Sequence, residues 1–576
     1  MQSRDMCEEI RKDGPELRFK WTGDANVCTP IQTYEEVLQY KNFCPAWHDS
    51  VIGLCNSIDV CYSGVDKECH SGECEIIKQR GKRNVTLKTL VCHDLKGGYL
   101  EDRYVNGSEK HNEYRFFHWS GIDTFIYFSH NLVTIPPPMW INAGHLHGTK
   151  VLGTLITEWD DGEKVWMKIM ESDHTIMEFA ESLVSICVNF GFDGYLLNVE
   201  NVISQEDINK LEYFVTILHD RLHALIPHAE LLWYDSVTSE GKLDWQNELN
   251  DLNKVFFNSC DGIFLNYSWN ELNLKSSALK AGPRHMDVYV GIDVFGRNFY
   301  EGGGFSSYKA AKLARDNNLS LAIFAPSWTH EYLGGPHFVH LENVFWQTMW
   351  PYLYHRGPSE LPFSTSFCQG YGEKLYCRGQ VVASNPWYDL SKQQYQPTVP
   401  SCQDGSFTNL FVEVRKEGGR EDELNEVAHT LIKTGCVQHY SKDAYQGGGC
   451  LQIRLACDNE ASSVRIFSCS FKCSGNVLIS TATKPLSEDI SELNILLQTE
   501  AQAERWWILK PGAKSTDMEK QKVLRLPIVL DNMVNPKEKV LRLPIVLDNM
   551  VNPKEVFSCI TKNKKRVETL WKISVQ

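Results

Sequence analysis

The sequence predicts an α/β protein: a (β/α)8 TIM-like barrel followed by an all-β sandwich accessory region. Three observations carry that expectation. Short, nearly continuous apolar runs recur between residues 124 and 327, the pattern of strands buried on both faces in a parallel sheet. Amphipathic stretches with helical spacing lie between them. Beyond about residue 365 the pattern changes to short β-branched runs broken by glycine-rich turns.

The runs are Thr124–Ser129, Lys150–Thr157, Gly194–Glu200, Glu230–Ser236, Gly262–Ser268, Val288–Phe295 and Leu321–Ser327. An eighth strand is expected near Phe363–Gly370. After the second run, Ile176, Phe179, Ala180, Leu183, Val184 and Cys187 form one helical stripe. Ile208, Leu211, Phe214, Val215 and Leu218 repeat the stripe after the third. So many β/α alternations exceed what a small sandwich offers and favour the barrel. A doubly wound open sheet is the competing fold, but no GxGxxG follows an early strand. In the C-terminal part, Asn409–Val414, Cys450–Leu455, Ser463–Ser468 and Val477–Ser480 read as short strands of a sandwich. The expected organisation is a Cys-rich variable segment over 1–86, the barrel over 87–365, the sandwich over 366–515 and a C-terminal segment over 516–576. In that last segment residues 522–538 recur identically at 539–555. Structural repeats diverge and need about three copies to bury a shared core, so no function is assigned to the second copy.

Composition narrows the function classes. With 58 Lys+Arg against 73 Asp+Glu, the formal net charge of −15 opposes general nucleic-acid binding and a polybasic membrane anchor. No stretch approaches the roughly 18 apolar residues of a membrane-spanning helix. The first twenty residues contain no apolar core of an export signal, so a cytosolic location is expected. The 19 cysteines are then expected to be reduced thiols. Cys44, Cys55, Cys61, Cys69 and Cys74 cluster near His70, but only the last pair approaches zinc-ligand spacing. A variable insertion with incidental thiols is the preferred reading. The sequons at Asn84, Asn106, Asn266 and Asn318 carry no weight for location.

The chemistry concentrates at strand ends, where barrel enzymes place their catalytic groups. The run Gly194–Glu200 ends with Asn198 and Glu200, two apart and therefore on one face. A carboxyl there can protonate a leaving oxygen and later deprotonate water. The amide beside it can orient an acetamido group of a substrate so that its carbonyl oxygen attacks the anomeric carbon. A glutamate that merely caps the next helix or pairs with a lysine is the competing reading. Other strand ends favour a sugar site. Tyr234 and Asp235 end the fourth run, Asn266, Tyr267 and Trp269 follow the fifth, Asp293 and Arg297 the sixth and Trp328, His330 and Glu331 the seventh. Trp159 follows the second, and Trp245 is expected to open the helix after the fourth. Aromatic faces and amides around carboxylates are how proteins hold sugars. No HExxH or EF-hand spacing occurs, so neither metal nor cofactor is expected.

Residues 91–103 (VCHDLKGGYLEDR), 192–201 (FDGYLLNVEN), 233–250 (WYDSVTSEGKLDWQNELN), 289–298 (YVGIDVFGRN) and 379–391 (GQVVASNPWYDLS) resemble the cytosolic endo-β-N-acetylglucosaminidases of glycoside hydrolase family 85. The Asn-x-Glu pair after FDG is the most discriminating element; a family 18 chitinase would carry Asp at position 198. The resemblance implies hydrolysis of the β-1,4 bond in the N,N′-diacetylchitobiose core of N-glycans, on free oligosaccharides or glycopeptides, by a retaining, substrate-assisted route. It implies that Asn198 orients the 2-acetamido group, that Glu200 is the general acid/base and that Tyr234 supports the oxazolinium. Trp245 and Trp269 would be site walls. A chitinase-like or hexosaminidase-type hydrolase, and a catalytically silent lectin, are the alternatives; an intact Glu200 beside Asn198 argues against the last.

Overall fold

A computed structural model describes residues 27–59, 87–297, 299–334, 338–398 and 436–455. Beyond these it describes the strands Ser463–Lys472, Val477–Pro485, Leu493–Thr499, Gln502–Leu509, Lys522–Ile528, Val540–Asp548 and Arg566–Val575. Cys61, Cys69, His70, Cys74, Asn84 and the expected strand Asn409–Val414 lie outside the described residues.

Eight parallel strands close into a barrel: β1 (Thr89–His93), β2 (Thr124–Tyr127), β3 (Lys150–Glu158), β4 (Gly194–Glu200), β5 (Glu230–Tyr234), β6 (Gly262–Leu265), β7 (Val288–Asp293) and β8 (Ser320–Phe324). Each pairs with the next in parallel, and β8 returns to β1 through Leu321 beside Thr89 and Phe324 beside Cys92, which closes the ring. Closure leaves no free edge and buries both faces of every strand, the physical reason for the near-continuous apolar runs. Alternate residues divide between two cores. Leu90, Ile126, Leu152, Leu196, Leu232, Phe264, Tyr289 and Ala322 fill the barrel interior. Their neighbours Val91, Phe125, Val151, Leu197, Leu231, Ile263, Val290 and Ile323 face the helices.

The helices follow the expected stripes. Asp173–Phe190 starts with a Ser172 cap that accepts from the Thr175 N–H and ends at Gly191, whose φ of 78° suits glycine. Its buried residues include every member of the stripe Ile176 to Cys187. Helix Ile208–Leu225 buries Ile208, Leu211, Phe214, Val215 and Leu218 in the same way.

One expected strand is displaced. Phe363–Thr365 is a strand, but it pairs antiparallel with Arg566–Val575 outside the barrel. The eighth barrel strand is β1, near the start of the fold. Further sheets follow the barrel. One contains Cys436–Tyr440, Cys450–Leu455, Val477–Pro485, Lys522–Ile528 and Arg566–Val575. A four-stranded sheet holds Ser463–Lys472, Val540–Asp548, Leu493–Thr499 and Gln502–Leu509. The two copies of the repeated 17-mer thus supply strands to different sheets.

Candidate active site

The top of β4 is set by a glycine and a period of two. Gly194 has φ 134°, and a Cβ there would lie 2.1 Å from the Glu230 carbonyl oxygen, so only glycine lets β4 start this close to β5. From that start Leu196 points into the barrel, and Asn198 and Glu200 share its face. Asn198 is 4% exposed. Its Nδ2 donates to Glu200 Oε2 at 3.3 Å, while its Oδ1 is buried without a hydrogen-bond partner among the described residues. Glu200 is half-buried and accepts at Oε1 from the Trp245 indole N–H at 3.2 Å. Burial raises the Glu200 pKa, and repulsion from Glu158 adds to the rise against the opposing hydrogen bonds from Trp245 and Asn198.

Tyr234 ends β5 on the same inner face, above Leu232. Its hydroxyl donates to Asn266 Oδ1 at 2.8 Å, and Asn266 Nδ2 donates to Asn247 Oδ1 at 2.9 Å. Burial pushes the Tyr234 phenol pKa well up, reinforced by the charges of Glu200 and Asp235, so the hydroxyl stays protonated. Trp245 does not open a helix. It lies in an irregular segment before helix Lys254–Ser259, and the buried carboxylate of Asp235 shapes that segment. Asp235 accepts from the N–H groups of Gln246 (3.3 Å) and Asn247 (2.7 Å) and from Asn253 Nδ2 (3.0 Å). Burial raises its pKa to about 6 despite these bonds. Asp235 therefore faces away from the mouth that holds Tyr234 and acts as the anchor of the Trp245 loop.

The other expected residues divide. Trp159 is 63% exposed with φ 51°, a strained setting for a large side chain at the end of β3. Asp293 ends β7, where its carboxylate receives Arg297 Nε at 3.0 Å and the N–H groups of Phe295 and Arg297. Trp269 is buried in the core between barrel and helices, stacked on Tyr300, with its indole N–H donating to the Gly291 carbonyl at 2.7 Å. Trp328 is buried and stacks on the exposed Tyr332 at 5.9 Å between centroids.

Sequence reasoning missed two groups at this end, Glu158 and His130. Glu158 ends β3 in register with Glu200. His130, on the turn after β2, bonds both its oxygens through Nδ1 at 3.0 and 3.2 Å, and that bond raises the His130 pKa. Tyr267, expected after the fifth run, lies beside Tyr234, with its ring over Gly291, where a Cβ would come within 2.9 Å of it. Glu158 and His130 both sit at or just after a strand end in the sequence, the signal that would have found them.

No histidine or cysteine cluster with metal-ligand spacing lies at this end among the described residues. The one such group, His219, His223 and Asp261, belongs to the opposite, N-terminal end of the barrel.

Residues 99–375 match the model of glycosyl hydrolase family 85. Over those residues the chain is a glycosyl hydrolase family 85 barrel. Curated relatives align over about two thirds of the chain. The chain is 42% identical over 403 residues to the cytosolic endo-beta-N-acetylglucosaminidase of Danio rerio, covering 69% of this chain and 53% of the relative. It is 41% identical over 400 residues to the Mus musculus protein of the same name, covering 69% and 51%. It is 40% identical over 415 residues to cytosolic endo-beta-N-acetylglucosaminidase 2 of Arabidopsis thaliana, covering 71% and 58%. The chain thus spans about half the length of these curated relatives. Its fold is also similar to the Endo-D glycoside hydrolase domain of Streptococcus pneumoniae, with a TM-score of 0.71 at 17% identity, covering 96% of this chain and 83% of that domain. Within the family 85 barrel, no helix among the described residues is long and apolar enough to cross a membrane.

Proposed function

We propose that the chain is an endo-β-N-acetylglucosaminidase of the cytosol. It hydrolyses the β-1,4 bond of the N,N′-diacetylchitobiose core in N-glycans by a retaining, substrate-assisted mechanism. The observation that carries the mechanism is the buried, unpartnered Oδ1 of Asn198 beside a carboxyl of raised pKa. An unpaired buried acceptor costs roughly 1–3 kcal/mol. The N–H of a substrate acetamido group is the donor that would satisfy it. Held there, the acetamido carbonyl oxygen attacks the anomeric carbon as the glycosidic bond breaks, and Glu200 gives its proton to the leaving oxygen. The bicyclic oxazolinium so formed is supported by the Tyr234 hydroxyl. Glu200, now a carboxylate, takes a proton from water, and the water oxygen attacks the anomeric carbon and reopens the ring. Two inversions at that carbon give retention. A sugar hydroxyl in place of water gives transglycosylation.

Burial and the Glu158 charge raise the Glu200 pKa, the direction a general acid needs. Trp245, bound to Glu200, and the exposed Trp159 supply aromatic faces for sugar rings, with Asn266, Asp293 and Trp328 as further binding groups and Trp269 as a supporting group in the core. The similarity to cytosolic endo-β-N-acetylglucosaminidases supports the substrate class and the location. The test is release of glycan from a high-mannose glycopeptide, compared with cleavage of chitotetraose. The glycopeptide is expected to be cut and the chitin oligomer spared. Glu200→Gln should lower glycan release by about 10²–10⁴-fold with the fold intact. Normal release by that variant would remove Glu200 from the mechanism.

A further inference from the structure

We propose that His219, His223 and Asp261 form a divalent transition-metal site of the zinc class at the N-terminal end of the barrel, remote from the proposed catalytic groups. His219 and His223 stand four apart on helix Ile208–Leu225 and so project from one face. Asp261 lies immediately before β6, and its Oδ2 accepts from the Leu231 N–H of β5 at 2.8 Å, which holds the carboxylate at the barrel rim. Both imidazoles turn Nε2 toward it. Asp261 Oδ1 is 3.1 Å from His223 Nε2 and 3.4 Å from His219 Nε2, and the two rings lie 4.4 Å apart between centroids.

These separations suit a metal. Tetrahedral bonds of roughly 2.0–2.1 Å to imidazole nitrogen and carboxylate oxygen place neighbouring ligand atoms about 3.3–3.4 Å apart. All the candidate ligand atoms fall within 4.8 Å of one another, so a small adjustment of the His219 rotamer completes three ligands. The remaining ring nitrogen of His219 meets the Asp220 carboxylate at 3.2 Å. A ligating histidine ordinarily gives its second N–H to such an acceptor, which fixes the ring and raises its basicity. Two imidazoles and one carboxylate favour zinc, cobalt or nickel over the hard cations, which prefer all-oxygen sites. Water has access for the open positions. His219 and Asp261 line a cleft of about 400 Å³ that also contains Lys88, Lys150, Glu230 and Asp287. The cations in that cleft are already matched: Lys88 lies 3.5 Å from Asp287, Lys150 3.6 Å from Glu230 and Arg284 3.0 Å from Asp287. Asp261 faces the two imidazoles rather than these cations. A metal here ties the helix after β4 to the strand edge of β5 and β6, so its effect is on stability rather than on turnover.

The test uses the whole chain, freed of metal by chelation and titrated with ZnCl2 by calorimetry, beside His219→Gln. Glutamine keeps a hydrogen-bonding side chain at a half-exposed helix position, so the variant should fold. Thiols elsewhere in the chain are common to both proteins, and the difference between the two isolates this site. The wild type should bind one more zinc than the variant, and saturating zinc should raise its melting temperature by an increment absent in His219→Gln. The site affinity should fall by more than the roughly 10–100-fold that loss of an outer-shell partner costs. Equal stoichiometry and equal melting shifts would show that the three side chains are hydrogen-bonded only, and would overturn the proposal. A second measurement needs no variant: wild-type crystals soaked in ZnCl2 should show anomalous scattering between His219, His223 and Asp261, and its absence there would overturn the proposal equally.

Discussion

Asn198→Ala separates the two steps of the proposed reaction. Asn198 Nδ2 touches Glu200, and its Oδ1 is buried with no hydrogen-bond partner among the described residues. If the side chain holds the acetamido group, its removal affects only the step that forms the oxazolinium. Losing one preorganised group of this kind costs about 10²–10³-fold in kcat, roughly 2.7–4 kcal/mol. The fold should tolerate the change. Deleting a buried unsatisfied acceptor relieves roughly 1–3 kcal/mol. Loss of the hydrogen bond to Glu200, about 1 kcal/mol, and a small cavity of about 1–2 kcal/mol offset that gain. The net change is within about 1–2 kcal/mol, a shift in melting temperature of a few degrees. Two assays on the same preparation decide the matter: glycan released from a glycopeptide, and product ligated from a preformed sugar oxazoline onto a GlcNAc-bearing peptide. Asn198→Ala should lose the first and keep the second, because the activated donor enters beyond the lost step and Glu200 remains to deprotonate the acceptor. Glu200→Ala should lose both, apart from residual reaction of the activated donor. Parallel loss of both activities in a folded Asn198→Ala would refute the assignment of Asn198 as an orienting group.

Three further outcomes follow from the same geometry. Glu158→Gln removes the negative charge that helps to raise the Glu200 pKa; the acid then ionises at lower pH, and the alkaline limb of kcat/KM against pH should move to lower pH, whereas an unmoved limb would show that Glu158 does not act on Glu200. Prolonged chelation should leave kcat at 25 °C unchanged while lowering only the melting temperature, because the nucleophile belongs to the substrate; lost activity that zinc or calcium restores would contradict this. Gly194→Ala sets a Cβ 2.1 Å from the Glu230 carbonyl oxygen at φ 134°, and should destabilise the fold by about 3 kcal/mol or more in denaturant titration; a near-neutral result would mean that β4 can shift away from β5 without cost.

The amino-acid sequence by itself determined the barrel and its central pair. Strands buried on both faces must be apolar almost throughout, so seven of the eight left a readable trace, and strict alternation puts Asn198 and Glu200 on one face. Tyr234 was legible for the same reason, two residues beyond Leu232 on an inward face. The sequence did not determine what meets across strands. Glu158 stands beside Glu200 only because β3 and β4 pair in that register, 42 positions apart in the chain. His130 reaches Glu158 from a turn, where no periodicity exists to read. Asp235 looked like a second carboxylate at the mouth. One residue after Tyr234 it faces the other way, and its charge is taken up by the loop that presents Trp245. Trp269 read as a site wall, and tertiary packing turned it into the core against Tyr300. Barrel closure made the same kind of decision. Which short run completes the ring, Thr89–His93 or Phe363–Thr365, depends on hydrogen bonds between chain segments far apart, and no local pattern encodes them.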